Sequence, residues 1–237
     1  MRSNVISSLV ALAMLTGNAF ALTPVQETFS GQFNQERWYQ YAVASGRLIQ
    51  KGDVLNYSTK SKATKNDFSS IELLTSQPGF AEDWQLTLDL SNTSNLGKKA
   101  AGGIMIFNVQ DRKDYLYLEY YGKSGVAGGV IADQKHVKKG RISLPQAIAK
   151  GSLRVTYRVA TKLLTLEVLV PKGKKTKWFT VGTFSPLGDK KGDVRANWKM
   201  NADSRFGVQL FGFSESKKVE NGKITFDNFT LSAPAAP

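Results

Sequence analysis

The chain has 237 residues, no cysteine, 32 basic against 19 acidic residues and a net charge of +13. Without thiols it can hold no disulfide, thiolate zinc site, iron–sulfur cluster or cysteine nucleophile, so packing alone must carry its stability. The charge favours acidic partners (polysaccharide, lipopolysaccharide, anionic lipid, nucleic acid) without selecting one. Its lysines are spread over expected turns, at Lys60 to Lys62, Lys98-Lys99, Lys138-Lys139, Lys172 to Lys177 and Lys190-Lys191, the pattern of a solvated surface.

Residues 1–21 have the order of a cleavable export signal: Arg2, an apolar run from Val5 to Leu15, the breaker Thr16-Gly17-Asn18, and the small-x-small motif Ala19-Phe20-Ala21. The run is too short to span a bilayer. This predicts a mature chain beginning at Leu22, exported to the periplasm or secreted.

Strands are then expected near Glu27–Phe33, Trp38–Ala44, Gly46–Gln50, Val54–Thr59 and Ser69–Thr75, each bounded by turn-forming residues. Leu86 to Leu90 alternates apolar and polar residues, as a half-buried strand does. Gly102 to Phe107 is apolar on both faces and reads as a central strand. Lys113–Gly122 is rich in Tyr and Leu, which suit a pleated surface. After Gly125–Ala132, one short helical turn is expected over Leu144–Lys150, with Pro145 near its start. Leu153, Val155, Tyr157 and Val159 alternate with Arg154, Thr156 and Arg158. The next strand, Leu163–Val170, follows a hairpin turn at Thr161-Lys162. Trp178–Ser185, Arg205–Phe213 and Gly222–Leu231 complete about fourteen candidates, and 233–237 reads as a flexible Pro/Ala tail. Regular short strands with polar turns indicate an all-β fold, a two-sheet antiparallel β-sandwich over 22–232.

Phe29-Ser30-Gly31-Gln32-Phe33 with Arg37-Trp38, then Gly46-Arg47-Leu48 and Gly52 to Leu55, resemble the opening strands of the concanavalin A-like lectin/glucanase superfamily. That group of jelly rolls includes laminin-G-like modules and family-sixteen-like hydrolases. Gly102 to Asn108 followed by Asp114 to Leu118 resembles its central strand pair. Phe206 to Leu210 and Ile224 to Phe229 resemble its closing strands, which return beside the first. The resemblance spans nearly all of the mature chain. It reports strand order rather than chemistry, so it implies a jelly roll and leaves function to the site.

Sugar cleavage with retention needs two carboxyl groups about 5 Å apart. Family-sixteen-like hydrolases place theirs on one strand as Glu-x-Asp-x-Glu, which is absent here. Glu82 and Asp83 are adjacent and point apart in a strand, Asp111 and Asp114 fall in a turn, and Glu119 stands among tyrosines. No catalytic residue is assigned, although carboxylates on separate strands can converge. His136, the single histidine, reads as a surface-loop residue among lysines. One His without Cys does not make a zinc site. Loop carbonyls with Asp227 or Asn228 offer hard oxygen ligands for calcium, but Asp-Asn in a closing strand more often forms a turn or bulge. No cofactor is assigned.

The tyrosine run carries the functional expectation. Tyr115, Tyr117, Glu119 and Tyr121 share one face of a strand, while Leu116, Leu118 and Tyr120 share the other. The second face is the better core. The first offers flat rings, phenolic donors and a carboxylate, a set that stacks on sugar rings and bonds to their hydroxyls. Trp84, Asn108 and Arg112 are expected to join it. The tyrosines could equally pack between sheets. The reading is an exported, non-catalytic carbohydrate-binding or envelope-associated protein, with a polysaccharide or glycan as partner. The alternatives are a glycoside hydrolase with carboxylates from separate strands, and a basic protein that binds anionic envelope components by charge. No sequence-specific nucleic-acid partner is expected.

Overall fold

A computed structural model describes residues 22–60, 67–122, 125–132, 135–142, 149–172, 175–188 and 197–235. The expected leader and most of the expected helical turn lie outside them. Among the described residues, no helix is long and apolar enough to cross a membrane.

Fifteen strands form two antiparallel sheets among these residues. In chain order they are β1 Val25–Glu27, β2 Trp38–Val43, β3 Gly46–Gln50, β4 Leu55–Thr59, β5 Asp67–Leu73, β6 Trp84–Asn92, β7 Ala100–Asn108 and β8 Asp111–Tyr120. They continue with β9 Val126–Ala132, β10 Lys135–Ile142, β11 Lys150–Arg158, β12 Leu163–Lys172, β13 Lys175–Phe184, β14 Phe206–Ser214 and β15 Ile224–Ser232. One sheet runs β13-β12-β11-β6-β15-β4-β3, with β1 added on β15; the other runs β10-β9-β8-β7-β14-β5-β2. The expected sandwich is therefore present, and β7 holds the central position its two apolar faces required.

Alternation builds the core. Leu86, Leu88 and Leu90 of β6, Leu153, Val155 and Tyr157 of β11, and Leu164, Leu166 and Val168 of β12 are buried from the eight-stranded side. Ile104 and Ile106, Leu116 and Leu118, and Val208 and Leu210 meet them from the other sheet. At one end Phe206 sits 5.1 Å from Trp84, 5.0 Å from Tyr157, 6.1 Å from Phe80 and 6.5 Å from Trp198, measured between ring centroids. At the other end the sheets interlock: the Tyr57 ring of β4 lies so close to Gly212 of β14 that a Cβ there would sit 2.1 Å from the ring.

Three expectations are corrected. The first strand ends at Glu27 rather than running to Phe33, because Phe29 takes a left-handed φ of 52° and the Glu27 carboxylate accepts its N–H. Positions 135–142, read as a histidine-bearing loop and a lysine turn, form β10. This strand escaped the pattern because lysines fill it where apolar residues would mark alternation. Lys175 and Lys177 likewise lie on β13 rather than in a turn. The Lys98-Lys99 turn is a single 3-10 turn, Gly97–Lys99. The β11–β12 connection turns where expected, with Lys162 at φ 53°. Asn228, at φ 47°, sits in a bulge that splits β15, as the Asp-Asn pair suggested.

Candidate functional site

The outer face of the seven-stranded sheet is aromatic, and strand register shows how it is assembled. Tyr115 of β8 lies opposite Ile131 of β9 and Phe107 of β7. Tyr117 lies opposite Gly129 and Met105, and Glu119 opposite Ala127 and Gly103. These rows continue into β14, where Gly207 follows Phe107, Gln209 follows Met105, and Phe211 follows Gly103. They then cross β5 and β2, with Gln209 reaching Glu72 and Tyr39, Phe211 reaching Ser70 and Tyr41, and Phe213 reaching Phe68 and Val43. Directly opposed residues project to the same face of a sheet.

A depression of about 460 Å³ opens on this face, lined by Tyr115, Tyr117, Glu119 and Tyr121 together with Phe68, Met105, Ile131, Phe211 and Phe213. Gly103 of β7 lets its neighbours close over it: a Cβ there would lie 2.3 Å from the Leu118 carbonyl and 2.9 Å from the Phe211 ring. Phe68 and Phe211 stack with centroids 5.7 Å apart. Tyr39 and Tyr41 extend the aromatic surface to the sheet edge, 57% and 51% exposed. Tyr120, on the opposite face of β8, is fully buried, as the alternation required.

Glu119 is the carboxylate of this depression, and the Tyr121 hydroxyl donates to it. Burial pushes its pKa above the usual carboxylate range, against the lowering effect of that hydrogen bond. Burial, then the nearby Glu119 charge, raises Tyr117 to about 12; the same two causes raise Tyr115. The phenols are therefore proton donors at neutral pH, able to bond to sugar hydroxyls.

The structure brings together the four residues expected on one face of the tyrosine strand and separates the three expected to join them. Trp84 has no exposure and stacks on Tyr157 inside the sandwich, so it cannot meet a ligand on the outer face. Its position at a strand start could not say which way it pointed. Asn108 is buried and spends its amide on local structure, donating to the Trp198 carbonyl at 2.8 Å and accepting from the Gln110 N–H. Arg112 reaches the correct face but is committed to Glu72 of β5, which also accepts from Gln209 at 3.0 Å. The sequence reading missed Phe68, Phe211, Phe213, Tyr39 and Tyr41. Their signal was present in Tyr39-x-Tyr41 and Phe211-x-Phe213, but only register shows that these pairs share a surface with Tyr117.

A second groove, about 390 Å³, lies on the outer face of the eight-stranded sheet, lined in part by Asp89, Ser152, Lys150 and Asp227. Asp89 and Asp227 are directly opposed on β6 and β15. Asp89 accepts from the Ser152 hydroxyl at 2.5 Å and from the Asn228 amide at 2.9 Å. Among the described residues, no group of three or more His, Cys, Asp or Glu side chains is placed to hold a metal ion.

No protein-family model and no curated protein matches the chain. Solved structures do. The lectin UEA-II complexed with galactose is 12% identical with a TM-score of 0.57, covering 89% of this chain and 98% of its own. The exoplasmic/lumenal domain of VIP36 in its Ca2+/Man2-bound form is 12% identical at 0.51, covering 90% and 88%. A structure described under endo-acting O-glycanases of human gut microbiota that initiate mucin breakdown is 12% identical at 0.59, covering 89% and 99%. At such identity the likeness is one of fold: the chain has the concanavalin A-like lectin-type sandwich.

Proposed function

We propose that this concanavalin A-like sandwich is a non-catalytic carbohydrate-binding protein, and that glycans bind on the tyrosine face of its seven-stranded sheet. The observation that carries the reading is the single depression in which Tyr115, Tyr117 and Tyr121 surround Glu119 beside Phe211 and Phe213. Flat rings stack on the apolar faces of sugars, and neutral phenols with one carboxyl group supply donors and acceptors for hydroxyls. Structural neighbours that bind carbohydrate support the same reading. A binding role fits this face better than hydrolysis. Glu72 is three strands from Glu119, a separation of about 14 Å at ordinary strand spacing, well beyond the spacing of a glycosidase pair. Residues 1–21 support action outside the cytoplasm, in the periplasm or after secretion.

The test is a glycan-array screen of the mature protein beside its Tyr117→Ala variant. Selective binding that the variant loses, with its circular dichroism unchanged, supports the site. Equal binding by both proteins removes it.

One observation favours a second reading. Asp89 and Asp227 are opposed across neighbouring strands, where Cβ atoms lie about 5 Å apart, which suits a retaining pair drawn from separate strands. Release of reducing ends from a bound glycan, abolished by Asp227→Asn, would move the function to that groove.

A further inference from the structure

The depression on the seven-stranded sheet is elongated across the strands. Its lining runs from Ile131 on β9 through Tyr117 on β8, Met105 on β7 and Phe213 on β14 to Phe68 on β5. Those strands are successive neighbours, so the lining covers four strand spacings, about 19 Å. One sugar ring occupies only a fraction of that length.

Register and burial give the depression its direction. The row that begins at Glu119 continues through Gly103, Phe211 and Ser70 to Tyr41 on the edge strand. Gly103, Phe211 and Ser70 are buried, whereas Met105 and Gln209 in the row on one side, and Phe68 and Phe213 in the row on the other, are half-buried. A shielded row between two half-exposed ones is the shape of a groove, and this one leads from Glu119 towards β2.

At that end stand Tyr39 and Tyr41, both more than half exposed. Burial does not explain two large rings at a sheet edge. Such edges are ordinarily blunted by charged side chains, yet none of the six residues of β2 is charged. Alternation sets both rings on the outer face, in the rows of Tyr117 and Glu119. An exposed ring with a phenolic hydroxyl is a stacking platform with a polar handle.

We propose that this face takes a linear oligosaccharide several linked sugars long. One part of the chain lies against Tyr115 and Tyr117 in the depression, and another stacks on Tyr39 and Tyr41 at the edge. The ligand is then an interior stretch of a polymer rather than a single terminal sugar, because the edge leaves the chain room to continue. This rests on the carbohydrate reading of the same face and adds a second, outer contact to it.

The test measures binding of mono- to hexasaccharides of the cello-, xylo-, manno- and laminari- series to four full-length mature proteins. These are wild type, the double variant Tyr39→Ala with Tyr41→Ala, Tyr117→Ala, and the control Ile49→Ala, which removes an exposed apolar side chain from the edge of the other sheet. Wild type should bind the hexasaccharide of one series roughly tenfold more tightly than its disaccharide, the contribution of one added stacking contact. The β2 double variant should bring that ratio close to one, and Ile49→Ala should keep it. Tyr117→Ala should weaken every length. A wild-type affinity that does not change with chain length, or a length dependence that survives in the double variant, overturns the proposal. If short chains still bind and depend on Tyr117, the carbohydrate reading stands without the outer contact. If no series binds, both readings fall.

Discussion

Arg112, near the start of β8, closes both Nη atoms on the Glu72 carboxylate of β5, at 2.8 and 2.7 Å, reaching over β7 and β14. Its guanidinium carbon lies 5.1 Å above the Phe107 ring, and that ring fills the space over Gly207. The ion pair fastens the row beside the tyrosine depression.

Loss of that clamp should register as stability. The Glu72 side chain is only 5% exposed, so Arg112→Met leaves a buried carboxylate that has lost its charged partner and still accepts from the Gln209 amide. We expect a loss of about 2–3 kcal/mol in urea unfolding at neutral pH. Adding Glu72→Gln should recover part of it, giving a non-additive cycle. Additive losses would mean that the two groups do not interact.

Glu119 sets a pH dependence. Its carboxyl titrates higher folded than unfolded, so as pH rises the unfolded chain releases this proton first. Stability from this group therefore falls through the window between the two pKa values and stays lower above it. Glu119→Gln should match wild type below about pH 4 and become more stable as pH rises to neutrality. Melting temperatures across that range decide it; a constant difference would show that Glu119 is not held protonated by burial.

Phe206→Ala should cost about 3–5 kcal/mol, because four large rings lose their common partner. Tyr117→Ala, on the outer face, should cost clearly less. Chemical denaturation of the two variants gives the ordering, and a reversed order would contradict the assignment of faces.

Gly212→Ala tests the interlock between the sheets. The added methyl would meet the Tyr57 ring at 2.1 Å, so the variant should lose about 1–3 kcal/mol or more. Tyr57→Phe should not rescue it, since the ring rather than the hydroxyl is in the way. Rescue by that substitution would place the clash elsewhere.

The sandwich was legible because most strands alternate cleanly, β6 and β11 above all, and turn residues separate them. β10 was not, because its lysines carry no apolar rhythm. Half of the candidate site was legible for the same reason: alternation alone placed Tyr115, Tyr117 and Glu119 on one face and Tyr120 in the core. The partners of that face come from β5, β7 and β14, and pairing between distant strands is decided by packing that no local pattern records. Asn108 and Arg112 have side chains suited to a ligand, but buried neighbours had already taken their hydrogen bonds.

The last strand carries a consequence for how the chain becomes a protein. β15 lies between β6 and β4, and beyond its bulge it also pairs with β1, so the two ends of the described chain meet in one ladder. A nascent chain that stops before Ile224 has a slot in the middle of its eight-stranded sheet and nothing to fill it. Closure must wait until β15 has been made, and the contacts that complete the sheet join residues some two hundred positions apart, the kind of non-local pairing that slows folding.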